Sequence, residues 1–92
     1  MDLLETVRRL MELDETSTIY ALRPWRPPSI AVVDSEPADG TLPAEAASLR
    51  CEYFLEVSIA SEFLKAWRNS LGREPSLSES CQRLIKYAEN DA

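Results

Sequence analysis

The sequence predicts a small α+β fold, a three-stranded, mainly antiparallel sheet with amphipathic helices in the order α-β-β-β-α-α. Three observations predict it. Apolar residues recur with helical spacing at both ends of the chain, the middle third holds short runs rich in β-branched and aromatic residues, and the intervening connections carry the prolines. Strands gathered mid-chain with helices outside them belong to α+β architecture rather than to alternating βαβ units. The 92 residues are expected to form one domain, 1–92. A chain of this mass exposes about 5,400 Å² folded against about 15,000 Å² unfolded, which suffices for one core.

The first helix is read in DLLETVRRLMEL, where Leu3, Val7, Leu10 and Met11 draw one stripe. Asp2 with Glu5 three residues on is an Asp form of the capping box, and the helix is complete by Leu13. STIYALR follows as a strand, Ile19 and Ala21 on one face, Tyr20 and Leu22 on the other. Pro24 to Pro28 is short enough to turn a hairpin into SIAVVDS. That second strand is apolar on both parities, which suits an inner strand or one covered on both sides.

Residues 34–49 hold two prolines, one glycine and several acids, and read as a surface connection with one helical turn after Pro43. RCEYFLEV alternates, so Cys51, Tyr53, Leu55 and Val57 are expected inward, with Glu52, Phe54 and Glu56 on the opposite face. The period then switches. Ser58 can cap a helix whose stripe is Ile59, Phe63, Trp67 and Leu71, flanked by Ala60, Leu64 and Ala66, and Gly72 can stop it. Ser76 and Glu79 form a capping box for the last helix, whose stripe is Leu77, Cys81, Leu84, Ile85 and Ala88.

Much chemistry is excluded by the letters. There is no histidine, hence no Ser-His or Cys-His nucleophile pair and no ordinary transition-metal site. Neither glycine opens a phosphate-binding loop. Glu52 and Glu56 lie about 13 Å apart along a strand, too far to cooperate as an acid pair. No cofactor, no metal and no enzymatic activity are expected. Cys51 and Cys81 have no zinc spacing and are expected as reduced, buried apolar residues. The net charge of −6 argues against nucleic-acid binding, which needs cations for phosphates. The N-terminus has no signal-peptide pattern and no segment has the length of a membrane span, so a cytoplasmic location is expected.

Two features point to a protein partner. Trp25 sits between Arg23 and Arg26 on a loop stiffened by Pro24, Pro27 and Pro28. Trp and Arg dominate binding hot spots, and a pre-ordered loop loses little entropy on association. The competing reading folds Trp25 back over the end of the core. If all three helices cover one side of the sheet, Phe54 and part of the first two strands remain on the other. Such a patch calls for a symmetric homodimer, for the first helix, or for edge pairing. The expectation is therefore a non-catalytic interaction domain, self-associating, that presents Arg23, Trp25, Arg26 and Phe54. The alternative is an acidic immunity or antitoxin-type inhibitor of a basic toxin such as a nuclease, which would use the acids of 34–45.

Overall fold

The computed structural model describes residues 1–91. Its elements are α1 (Leu3–Arg8), a 3-10 turn (Leu10–Glu12), β1 (Thr18–Ala21), β2 (Ala31–Asp34), α2 (Ala44–Ser48), β3 (Glu52–Glu56), α3 (Val57–Leu71) and α4 (Leu77–Asp91). The strands form an antiparallel sheet in the order β2-β1-β3, so the predicted α+β class and three-stranded sheet are found. The turn after Pro43 is the additional helix α2.

The inner strand is β1, not the two-faced apolar β2. β2 is nonetheless covered on both sides, which is why both its parities are apolar. Ala31 and Val33 join the main core and Val32 joins a second, smaller one. The outer edge of β2 is partly closed by the N-terminus, where Met1 O accepts from Ala31 N (2.7 Å) and Asp2 bridges to Ile30.

β1 divides as its alternation predicts. Ile19 and Ala21 enter the main core, and Tyr20 with partly buried Leu22 faces the other way. β3 does not keep its alternation. Ile19 pairs with Leu55 but Tyr20 pairs with Tyr53, so Phe54 is an extra residue in the ladder. A bulge of this kind sets two side chains against one partner and switches the parity of the strand. Phe54 and Leu55 therefore both enter the main core and Tyr53 is exposed, correcting the expected placement of Tyr53 and Phe54.

The helices α1, α3 and α4 cover the main-core face. In α1, Asp2 Oδ1 accepts from Glu5 N (2.8 Å), as the capping pattern requires. The Glu5 carboxylate instead turns outward to Arg8 and Arg9. Met11, expected on the apolar stripe, is 91% exposed. The chain tightens to a 3-10 turn at Leu10, and its three-residue repeat rotates Met11 off the face that buries Leu10.

The buried line of α3 is Val57, Ala60 and Leu64, while Ile59, Phe63 and Trp67 are only partly buried against it. Its cap is Glu56 rather than Ser58, and Gly72 ends it at φ 70°. Leu77, expected on the stripe of α4, is exposed, but Cys81, Leu84, Ile85 and Ala88 are buried as expected.

The capping box of α4 is complete. Glu79 N donates to Ser76 Oγ and Ser76 N donates to Glu79 Oε1, both at 3.1 Å. Arg73 and the Ser76 N–H hold the Glu79 carboxyl down at about 2, below its ordinary 4.5. A carboxyl with a lowered folded-state pKa contributes stability above the unfolded value and loses it as pH falls through the folded one. Ser76→Ala is expected to cost about 1 kcal/mol at neutral pH. Thermal melts should also show the gap between wild type and Glu79→Gln closing as the pH falls from about 4.5 toward 2. The exposed pair with Arg73 should weaken in high salt.

Candidate functional site

The proline loop is tied down from both ends. Leu3 N donates to Ser29 O and Leu4 N to Pro27 O, each at 2.9 Å, and Ser29 Oγ donates to Pro24 O at 3.0 Å. Within this frame Trp25 folds inward. It is 5% exposed, its Nε1 donates to Ala21 O at 3.2 Å, and its ring meets Phe54 edge-on with centroids 4.8 Å apart. Of the two readings of Trp25, the one that folds it over the end of the core is found, not the one that presents it to a partner, and the expectation of an accessible Phe54 is corrected. Both rings cap the end of the main core because an indole that satisfies its N–H locally gains more from burial than from exposure.

Of the four residues expected to face a partner, the two arginines are the ones that reach solvent. The Arg23 guanidinium lies 3.9 Å above the Trp25 centroid and its Nε is 2.6 Å from Glu52 Oε2. Arg26 is exposed as well.

The far side of the sheet holds Tyr20, Val32 and Cys51, and it is not open to a second copy. β2 and β3 both run antiparallel to β1 and hence parallel to each other. Parallel strands need a crossover. With the other helices packed on the main face, the crossover at residues 35–51 passes over the far face, and α2 seats Ala46 on it. The surface expected to drive self-association is covered by the chain itself.

One end of that far face is polar. Thr18 pairs with Asp34 on one side and Glu56 on the other, and paired residues share a face, so a carboxylate, a hydroxyl and a second carboxylate cross the sheet in one row. The next row is Val32, Tyr20 and Tyr53. Asp34 is exposed and Glu56 half-buried. Among the described residues, the ion pairs use Glu5, Glu52, Glu74 and Glu79, and none involves Asp34, Glu36, Asp39, Glu45 or Glu56. Asp39 is held in its charged form because the Thr41 hydroxyl and amide both donate to it.

Tyr20 lies beneath this surface, 2% exposed, and its Oη makes no hydrogen bond of ordinary geometry. Burial raises its pKa and the charge of Glu36 pushes the same way, the neighbouring Thr18 side chain opposes them, and Asp34 adds to the rise. Tyr53 is raised too, first by burial and then by Glu56.

Neither thiol is activated. Burial raises Cys51, and it pushes Cys81 up to about 11. An open groove of about 930 Å³ runs between α1, α3 and the start of α4 over Leu10, Leu13 and Leu64. Its rim mixes Arg8, Lys65 and Arg68 with Glu15, Glu62 and Glu74, so its charge selects no occupant. No helix among the described residues is long and apolar enough to cross a membrane.

The faces of Asp34, Thr18 and Glu56 are legible in the letters. Thr18 shares a parity with Tyr20, Asp34 with Val32, and Glu56 falls opposite Leu55 as the alternation predicts; the bulge at Phe54 instead brings Tyr53 onto that face. No protein-family model matches this chain, and neither a curated protein nor a solved structure does.

Proposed function

We propose that this is a non-catalytic protein-interaction domain that engages a cationic protein through the acidic crossover and the adjoining end of the far sheet face. The observation that carries the reading is the crossover's one-sided charge. Residues 34–49 hold Asp34, Glu36, Asp39 and Glu45 and no lysine or arginine, and neither these acids nor Glu56 have a cation partner among the described residues. Unpaired like charges on one surface cost stability and steer an oppositely charged partner to it.

Raised thiols and the lack of histidine favour a binding role over a chemical one. Self-association loses its main support, because α2 already occupies the apolar surface that argued for it. An inhibitor of a basic toxin such as a nuclease is the specific case the charge pattern favours, with the acids laid against a positive substrate cleft. A cytoplasmic site of action fits two unpaired, buried thiols.

The test is capture on the immobilised protein, compared with the fivefold variant Asp34→Asn, Glu36→Gln, Asp39→Asn, Glu45→Gln and Glu56→Gln. A basic protein is expected to bind at about 50 mM salt, to be released by about 500 mM, and to be lost by the variant. A partner held equally by the variant, or indifferent to salt, overturns the reading.

A further inference from the structure

We propose that the polar end of the far sheet face is an anchor pocket for one arginine side chain of a partner protein, its guanidinium lying between Asp34 and Glu56 above Thr18 and donating to the Tyr20 hydroxyl. The proposal rests on the reading that the partner is cationic, and goes beyond it by naming the group recognised and the residues that recognise it.

The geometry is that of the ladder. Asp34 and Glu56 are both register partners of Thr18. Their Cα atoms are thus two strand spacings apart, about 10 Å. A planar guanidinium offers N–H groups to both carboxylates at once, and an ammonium offers only a point charge.

Local structure accounts for part of this arrangement. Glu56 is the residue before α3, where a negative charge suits the helix N-terminus. Asp34 Oδ1 accepts from Ser35 N at 2.7 Å. Neither contact explains the phenol. Tyr20 Oη is the one buried side-chain polar atom among the described residues that has no partner. Leaving such a group unpaired in a buried place is costly. It lies where Glu36 and then Asp34 are the charges that act on it most strongly. A guanidinium N–H gives this oxygen a donor, and the phenol's own proton then has a carboxylate to go to.

Entry to the phenol requires the crossover to yield, and its bonding permits that. Beyond the Ser35 N bond to Asp34, the hydrogen bonds over residues 36–42 are local, Gly40 N to Pro37 O and Thr41 to Asp39.

The experiment is an amide-resolved NMR titration of the full chain with three synthetic peptides of one sequence, bearing arginine, lysine or citrulline at the same positions. The arginine peptide is expected to bind about ten-fold more tightly than the lysine peptide. Its shifts should centre on Thr18, Tyr20, Asp34 and Glu56, and the citrulline peptide should not bind. Tyr20→Phe is expected to keep the fold and remove the preference for arginine, and Glu12→Gln, in the 3-10 turn on the main-core side of the sheet, to leave it unchanged. Equal binding of arginine and lysine peptides, with shifts spread over 34–45 and no effect of Tyr20→Phe, overturns the pocket and leaves the cationic-partner reading standing. Binding of none of the peptides overturns both.

Discussion

Trp25→Ala is expected to lower the unfolding free energy by about 3–5 kcal/mol, the usual cost of deleting a buried aromatic. Trp25 fills the junction between the hairpin loop and the main core. Its ring packs edge-on against Phe54, its N–H is satisfied by Ala21 O, and Arg23 covers its outer face. Truncation opens a cavity beside Phe54, leaves Ala21 O without its side-chain donor and frees Arg23 from its platform. Domains of this size are stable by about 5–14 kcal/mol, so the loss is a large share of the whole. Urea unfolding followed by far-UV circular dichroism measures it, with the midpoint falling and the slope unchanged. Trp25→Phe should cost less, since it keeps an aromatic face against Phe54 and loses only the N–H and the second ring. If Trp25→Ala leaves the midpoint where it was and abolishes partner binding, the indole is a binding group and the packing described above is not what holds the loop.

The same residue shows where reading the letters succeeds and where it stops. Helix starts and stops were legible at Asp2, Ser76 and Gly72, because capping is a local matter of side chain and backbone within four residues. The strands were legible from their β-branched runs, and so was the division of β1 into two faces. What failed was whatever depends on a partner distant in the chain. Strict alternation puts Phe54 on the wrong face because a bulge is a property of two strands in register, and nothing in EYFLE marks it. Helical spacing puts Met11 inward because a 3-10 turn and an α-helix share the same letters for one turn. The direction of Trp25 was undecidable locally. The prolines stiffen the loop whichever way the ring turns, and only the bulge that sends Phe54 inward creates the ring's resting place.

The cover over the far face admits an equally large test. Ala46→Glu is expected to detach α2 from the sheet and leave the main core folded. Ala46 is fully buried where α2 meets Tyr20, Val32 and Cys51. A glutamate there adds volume to a closed site and buries a charge, a combination that costs about 3–5 kcal/mol when the charge stays inside. The five-residue α2 has no side-chain cap. Its links to the following strand are few, Cys51 N to Ala46 O at 2.9 Å being one. Lifting it off therefore takes less than unfolding the sheet, and the strain relaxes locally.

Two measurements follow the detachment. In the wild type both thiols are buried and raised, so an aromatic disulfide reagent should label neither until the protein is denatured. In Ala46→Glu, Cys51 should label at least about a hundred-fold faster, as an opening made easier by about 3 kcal/mol requires, and Cys81 should stay silent under Leu84 and Ile85. Light scattering should find the wild type at its monomer mass of 10.4 kDa and the variant associating through the uncovered tyrosine and valine face. A monomeric Ala46→Glu with both thiols silent would mean that something other than α2 shields Cys51. Association of the wild type itself would restore the symmetric dimer and place its contact elsewhere than on this face.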